Sequence, residues 1–144
     1  MSIDGSGNVT ATSFNPTSDR AAKQNFHSVN AREILAKVAA LPLATWNYKT
    51  DPQTRHIGPV AQDFHAAFGV GPDDKHIATV DADGVALAAI QGLNEIVREK
   101  ETRIEALEKT VAELQQAIAG LAQRLTEGAS ATAVFPGPAR TAEK

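Results

Sequence analysis

Ile90, Val97, Ile104, Val111, Ile118 and Leu125 fall seven residues apart. Three places after the first five stand Leu93, Lys100, Leu107, Leu114 and Leu121. In heptad notation these are a and d positions sustained over five repeats, with only Lys100 out of pattern. A chain with this period must form a helix, about 54 Å long at 1.5 Å per residue, whose narrow apolar stripe needs another helix against it. Too little apolar material stands upstream to cover the stripe by folding back, so the pattern predicts a parallel coiled coil. In such an assembly Arg103 at g reaches Glu108 at the following e position of a neighbour. β-branched residues at a with leucine at d favour two strands by the coiled-coil rule alone.

The remainder is modest. Of 144 residues, 42% are hydrophobic and 22% charged, which suits one small globular unit beside the helix. A core of that size calls for help from oligomerisation. A net charge of −3 gives no bulk electrostatic case for nucleic acid or an anionic membrane surface. No run approaches the ~18 apolar residues of a membrane span, and the first residues lack a basic region followed by an apolar core. With no cysteine, thiol chemistry and disulfides are excluded. No cofactor and no metal is expected.

Along the chain the composition changes several times. Residues 1–17 are small and polar, which suits the end of an upstream β-rich body or a linker. Residues 18–89 read as a small mixed α+β domain. Asn30 can cap a helix while Glu33 reaches back to it, with Ile34, Leu35, Val38 and Leu41 as one apolar stripe and Pro42 as the stop. Thr45-Trp46-Asn47-Tyr48-Lys49 has strand alternation, followed by an Asp51-Pro52 turn. Residues 57–60 read as extended and 61–68 as a short helix burying Phe64 and Phe68. Residues 76–80 suggest a further strand closed by a turn at Asp83-Gly84. The coiled-coil helix occupies 90–127, and 128–144 is a Gly/Ala/Pro/Thr-rich disordered tail. The fold class is thus α+β, with a long C-terminal helix after a small mixed domain.

A serine stands five residues before a lysine in Thr17-Ser18-Asp19-Arg20-Ala21-Ala22-Lys23, where the loose lead-in meets the domain. Such a pair can cut a peptide bond without histidine, and the bond nearest to hand is the chain's own. Spacing alone is weak, since six serines and seven lysines give about 0.3 chance pairs at any fixed offset. The bland reading is a turn serine and a solvated lysine. The chemical requirements are strict. Serine needs a base, and lysine serves only when neutral, which at pH 7 holds for about 0.04% of a free amine. Burial between protomers, or a second cation such as Arg20, would raise that fraction. On a continuous α-helix five residues turn about 140° past a full circle, so the two side chains would not share a face. Ser18 must therefore lie in a turn ahead of a helix, or meet Lys23 from another chain.

Other constellations are weaker. His27, His56, His65 and His76 lack zinc-ligand spacing. Asp81-Ala82-Asp83-Gly84 is similar to the start of a calcium loop, but its glycine comes too early and Val85 fills a ligand place. Gly69-Val70-Gly71-Pro72 lacks the lysine of a phosphate loop. Gln62 and Asp63 read as structural.

Taken in order, these pieces resemble the C-terminal intramolecular chaperone and self-cleaving domain of phage tail spikes and tail fibres, the peptidase S74 type. The likeness rests on Ser18, Asp19 and Lys23 with Arg20 between them, and on the aromatic strand around Trp46. It continues through Gly58-Pro59-Val60-Ala61-Gln62-Asp63 and an Asp-x-x-Gly-Val turn over 81–85 into a coiled coil, spanning about residues 18–125. The resemblance implies Ser18 as nucleophile, Lys23 as base, Asp19 and Arg20 in support, and cleavage between Thr17 and Ser18. It implies a homotrimer, where the heptad rule alone favours a dimer, and an upstream fibre body of the same chain as client. The setting it implies is a virion tail precursor in the bacterial cytoplasm, or a bacterial cell with phage-like genes. A structural cap that trimerises without cutting, and a coiled-coil adaptor, are the alternatives.

Overall fold

The structure is a computed structural model and describes residues 1–132 apart from 6 and 8, with side chains as far as residue 128. Two compact units divide between Val97 and Arg98.

The first unit opens with a small antiparallel pair, β1 (Ser2–Ile3) and β2 (Val9–Thr10), with Ser2 opposite Thr10 and Ile3 opposite Val9. Helix α1 (Ala31–Ala40) begins where Asn30 accepts from the Glu33 amide at 3.2 Å, the N-cap expected from sequence. Its stripe of Ile34, Leu35, Val38 and Leu41 is half-buried.

Strands β3 (Ala44–Tyr48) and β4 (Asp51–Gly58) form an antiparallel hairpin, with Thr45 opposite Ile57 and Trp46 opposite His56. The turn lies at Lys49-Thr50, and Tyr48 pairs with Asp51. Asp51-Pro52 therefore opens the second strand instead of forming the turn. The register shifts between Trp46 and Tyr48, and Asn47 fills that irregularity. Its side-chain amide donates to the carbonyls of Pro52 (3.2 Å) and Thr54 (2.6 Å). A side chain thus satisfies acceptors that a regular ladder would have paired.

Helix α2 (Ala61–Phe68) lies where the apolar spacing put it, and its Phe64 and Phe68 rings meet at a tilt of 54° with centres 4.9 Å apart. It stops at Gly69, whose φ of 64° is left-handed and whose amide bonds His65 O at 2.8 Å. Residues 76–78 are not a strand. Asp73 folds that segment into a turn by accepting from the Lys75 and His76 amides, and helix α3 (Thr79–Thr132) follows at once. Asp83 and Gly84 are helical, and the helix also runs through 128–132, which composition alone had assigned to the tail. The rest of that tail lies outside the described residues.

Within the first unit α3 carries two stripes. Val85, Ala88, Ala89, Gly92 and Ile96 turn inward, with Ala89 and Gly92 buried. Ile90, Leu93 and Val97, the heptad residues, stay 62%, 52% and 44% exposed. The core is small: Phe64 and Ala89 are its buried hydrophobic residues. An open apolar cleft of about 250 Å3 has walls from Ile34, Phe68, Val80, Val85 and Ala88. Arg32 reaches Glu95 at 3.2 Å and ties α1 to α3.

The second unit is the helix beyond Arg98, and its heptad stripe is likewise uncovered. Ile104, Leu107, Val111, Leu114, Ile118, Leu121 and Leu125 range from 51% to 75% exposed. Thr102 and Thr110 satisfy their hydroxyls on the backbone four residues back, at 3.1 and 2.9 Å.

Candidate active site

The dipeptide Thr17-Ser18 lies outside regular secondary structure, after a Pro16 that disfavours helical angles at Asn15. A single 3-10 turn, Arg20–Ala22, follows. Asp19 caps it, its carboxylate accepting from Ala21 N at 2.9 Å and its carbonyl from Ala22 N at 3.1 Å. Lys23 closes the turn by donating its amide to Arg20 O at 3.1 Å, then leaves in an extended conformation, φ −122° and ψ 155°.

This geometry meets the requirement that an α-helix could not. Ser18 stands just ahead of a tighter turn, Lys23 just after it, and the Lys23 ammonium donates to Ser18 Oγ at 2.7 Å. The pair forms within one chain. Both side chains are exposed in that chain. Asp19 acts as the cap of the turn, and Thr17 lies exposed directly before Ser18. The Arg20 guanidinium lies 5.3 Å above the centre of the Phe26 ring, a cation–π contact.

Sequence reasoning had not singled out Asn25 and Phe26. Asn25 has φ 57°, and among the described residues it is the non-glycine with positive φ. Asparagine tolerates that region better than most residues, which was the available signal. The hairpin also carries an unforeseen cluster: Trp46 stacks on His56 at 4.8 Å and meets Tyr48 edge-on at 4.9 Å. Trp46 and Tyr48 border an open cavity of about 480 Å3 shared with Val60, Gln62 and His76. The Trp46 Nε1–H is buried without a hydrogen-bond partner among the described residues.

The Lys75 amide and then the His76 ring hold the Asp73 carboxyl below its ordinary value. Among the described residues no His, Asp or Glu cluster is arranged to hold a metal, and no helix is long and apolar enough to cross a membrane.

A family model, Peptidase_S74, described as chaperone of endosialidase, matches residues 18–70. Over this stretch the chain is similar to that family. The matched stretch begins at Ser18, contains Lys23, the hairpin and α2, and ends at Val70. The Asp-x-x-Gly-Val segment at 81–85, which is helical within α3, and the heptad stripe lie beyond it. No curated protein matches the chain.

Proposed function

We propose that this chain is an intramolecular assembly chaperone of a phage-tail-type fibre protein, which trimerises and then releases itself by one cut between Thr17 and Ser18. The observation that carries this reading is the 2.7 Å approach of Lys23 Nζ to Ser18 Oγ at the first residues of an S74-type segment. The uncovered stripe from Ile90 to Leu125 supports the assembly step, because so long an apolar line needs neighbours. Three parallel helices align three copies of the upstream body, which would otherwise fold without register.

In the assembled state a neighbouring protomer takes water from the Lys23 amine and favours its neutral form. Neutral Lys23 accepts the Ser18 hydroxyl proton along the line of the observed hydrogen bond. Ser18 Oγ attacks the Thr17 carbonyl carbon, and the tetrahedral adduct collapses with loss of the Thr17–Ser18 C–N bond. The proton passes from Lys23 to the departing Ser18 amine, leaving the Thr17 acyl group as an ester on Ser18 Oγ. Water hydrolyses that ester, restores the Ser18 hydroxyl and frees residues 18–144. The event is a single turnover on self. It requires no metal or cofactor, and it leaves the matured upstream trimer without its folding aid.

Intact mass spectrometry of fresh chain during incubation at neutral pH tests the reading, with native mass measurement for the oligomer. A fragment beginning at Ser18, absent from Ser18→Ala and Lys23→Ala variants, is the expected result. A stable full-length mass in a well-formed trimer would instead assign a non-cutting cap.

A further inference from the structure

We propose that Asn25 and Phe26 form a clasp that positions Lys23 against Ser18, so that a left-handed backbone residue sets the geometry of the dyad. The inference rests on the Ser18–Lys23 reading above and deepens it.

A lysine side chain is long and loses considerable rotamer freedom when held in one place. A base that must stay within hydrogen-bonding reach of a hydroxyl therefore benefits from a fixed backbone. On its N-terminal side Lys23 is anchored by the Asp19-capped turn, through its amide bond to Arg20 O at 3.1 Å. On its C-terminal side the chain leaves extended and would carry Lys23 with any motion of residues 24–29. The anchor on that side is the contact of Phe26 with Arg20, 5.3 Å from guanidinium carbon to ring centre.

That contact joins residues six apart across an extended lysine, so the chain must reverse between Lys23 and Phe26. Asn25, at φ 57°, supplies the reversal. Left-handed angles are costly for most side chains, tolerable for asparagine and free for glycine. The conformation is thus held by a residue suited to it, and its product is a closed ring of contacts around Lys23. Arg20 then serves the site through Phe26, as part of the frame. Asn25 and Phe26 are positioning residues; neither touches the reacting atoms.

The test compares Asn25→Gly with Asn25→Val, and Phe26→Tyr with Phe26→Ala, in the full chain. Two readouts are taken: the first-order rate of cleavage at Thr17–Ser18, and the nuclear Overhauser contact between the Lys23 ε-methylene and the Ser18 β-methylene. The glycine and tyrosine variants are expected to keep the wild-type rate and the contact. The valine variant is expected to cut roughly tenfold more slowly and to lose the contact, with an unchanged melting temperature. Phe26→Ala, at a 61% exposed position that leaves the core untouched, is expected to follow valine. Equal contact strength in the glycine and valine chains would overturn the proposal, whatever the rates. Should the wild-type chain assemble and not cut, the cleavage reading falls, while a contact present with glycine and lost with valine still upholds the clasp.

Discussion

Gly92 of α3 lies directly against the backbone of Ala31, the first residue of α1. A β-carbon built on Gly92 would stand 2.7 Å from the Ala31 carbonyl carbon and 3.1 Å from Arg32 N. Both neighbours are backbone and cannot swing aside. Gly92→Ala is therefore expected to lower stability by about 1–3 kcal/mol, as overpacking does. Gly120, also helical, has nothing within 4 Å of the same position. Gly120→Ala is expected to raise stability by about 0.5–1 kcal/mol through helix propensity. Thermal melts of the two variants, opposite in sign, check the close approach.

The exposed heptad stripe makes a sharper demand. Leu107 is 54% exposed in the single chain. In a lone helix Leu107→Ala would be nearly neutral, because alanine is the better helix former. In a covered coiled-coil core the same change costs about 2–5 kcal/mol per protomer. Sedimentation equilibrium and concentration-dependent melting of Leu107→Ala are expected to show weakened association. An unchanged, concentration-independent melt would mean that the stripe has no helical partner.

Asn47 offers a local test of the hairpin. Its amide serves the carbonyls of Pro52 and Thr54, and Asn47→Ala removes both bonds. A loss of about 1–2 kcal/mol is expected at net hydrogen-bond values. Faster amide exchange confined to β3 and β4 would locate it.

Acid should loosen the turn ahead of α3. The Asp73 carboxyl is held below its ordinary 3.8, first by the Lys75 amide and then by the His76 ring. Because the folded value is depressed, the contribution is full above pH 3.8 and is lost as pH falls through the folded value. Carboxyl NMR of Asp73 is expected to titrate below 3.8, with Lys75 and His76 amide protection fading over the same range. A midpoint at or above 3.8 would contradict the arrangement.

Much of this was legible because the relevant signals are periodic or local. The α1 cap at Asn30, helix α2 and the heptad residues all declare themselves by spacing. The argument that an α-helix forbids the Ser18–Lys23 approach left either a turn or a second chain to permit it, and the contact seen within one chain uses the turn. Other features depended on what the sequence does not encode locally. The inward stripe of α3 runs from Val85 to Ile96 through Ala88, Ala89 and Gly92, small residues that carry little hydrophobic contrast yet allow α1 to come close. The apparent strand at 76–80 failed because Asp73 captures the preceding amides and Thr79 starts a helix. At the hairpin, Lys49-Thr50 makes the tight connection while Pro52 sits within a strand, an arrangement set by cross-strand register. The left-handed Asn25 was invisible for a simpler reason: tolerance of an angle is not a requirement for it.

Ser18 and Lys23 stand only five positions apart, and that shortness bears on timing. Loops of about ten residues close in roughly 10–100 ns, whereas subunits assemble over milliseconds to minutes. Nucleophile and base can therefore meet on a newly made chain long before any neighbour arrives. In the proposed cycle their encounter cannot be the clock. The clock is the arrival of the other two chains, which dries a pair already in place, so the chain is armed early and fires only in company.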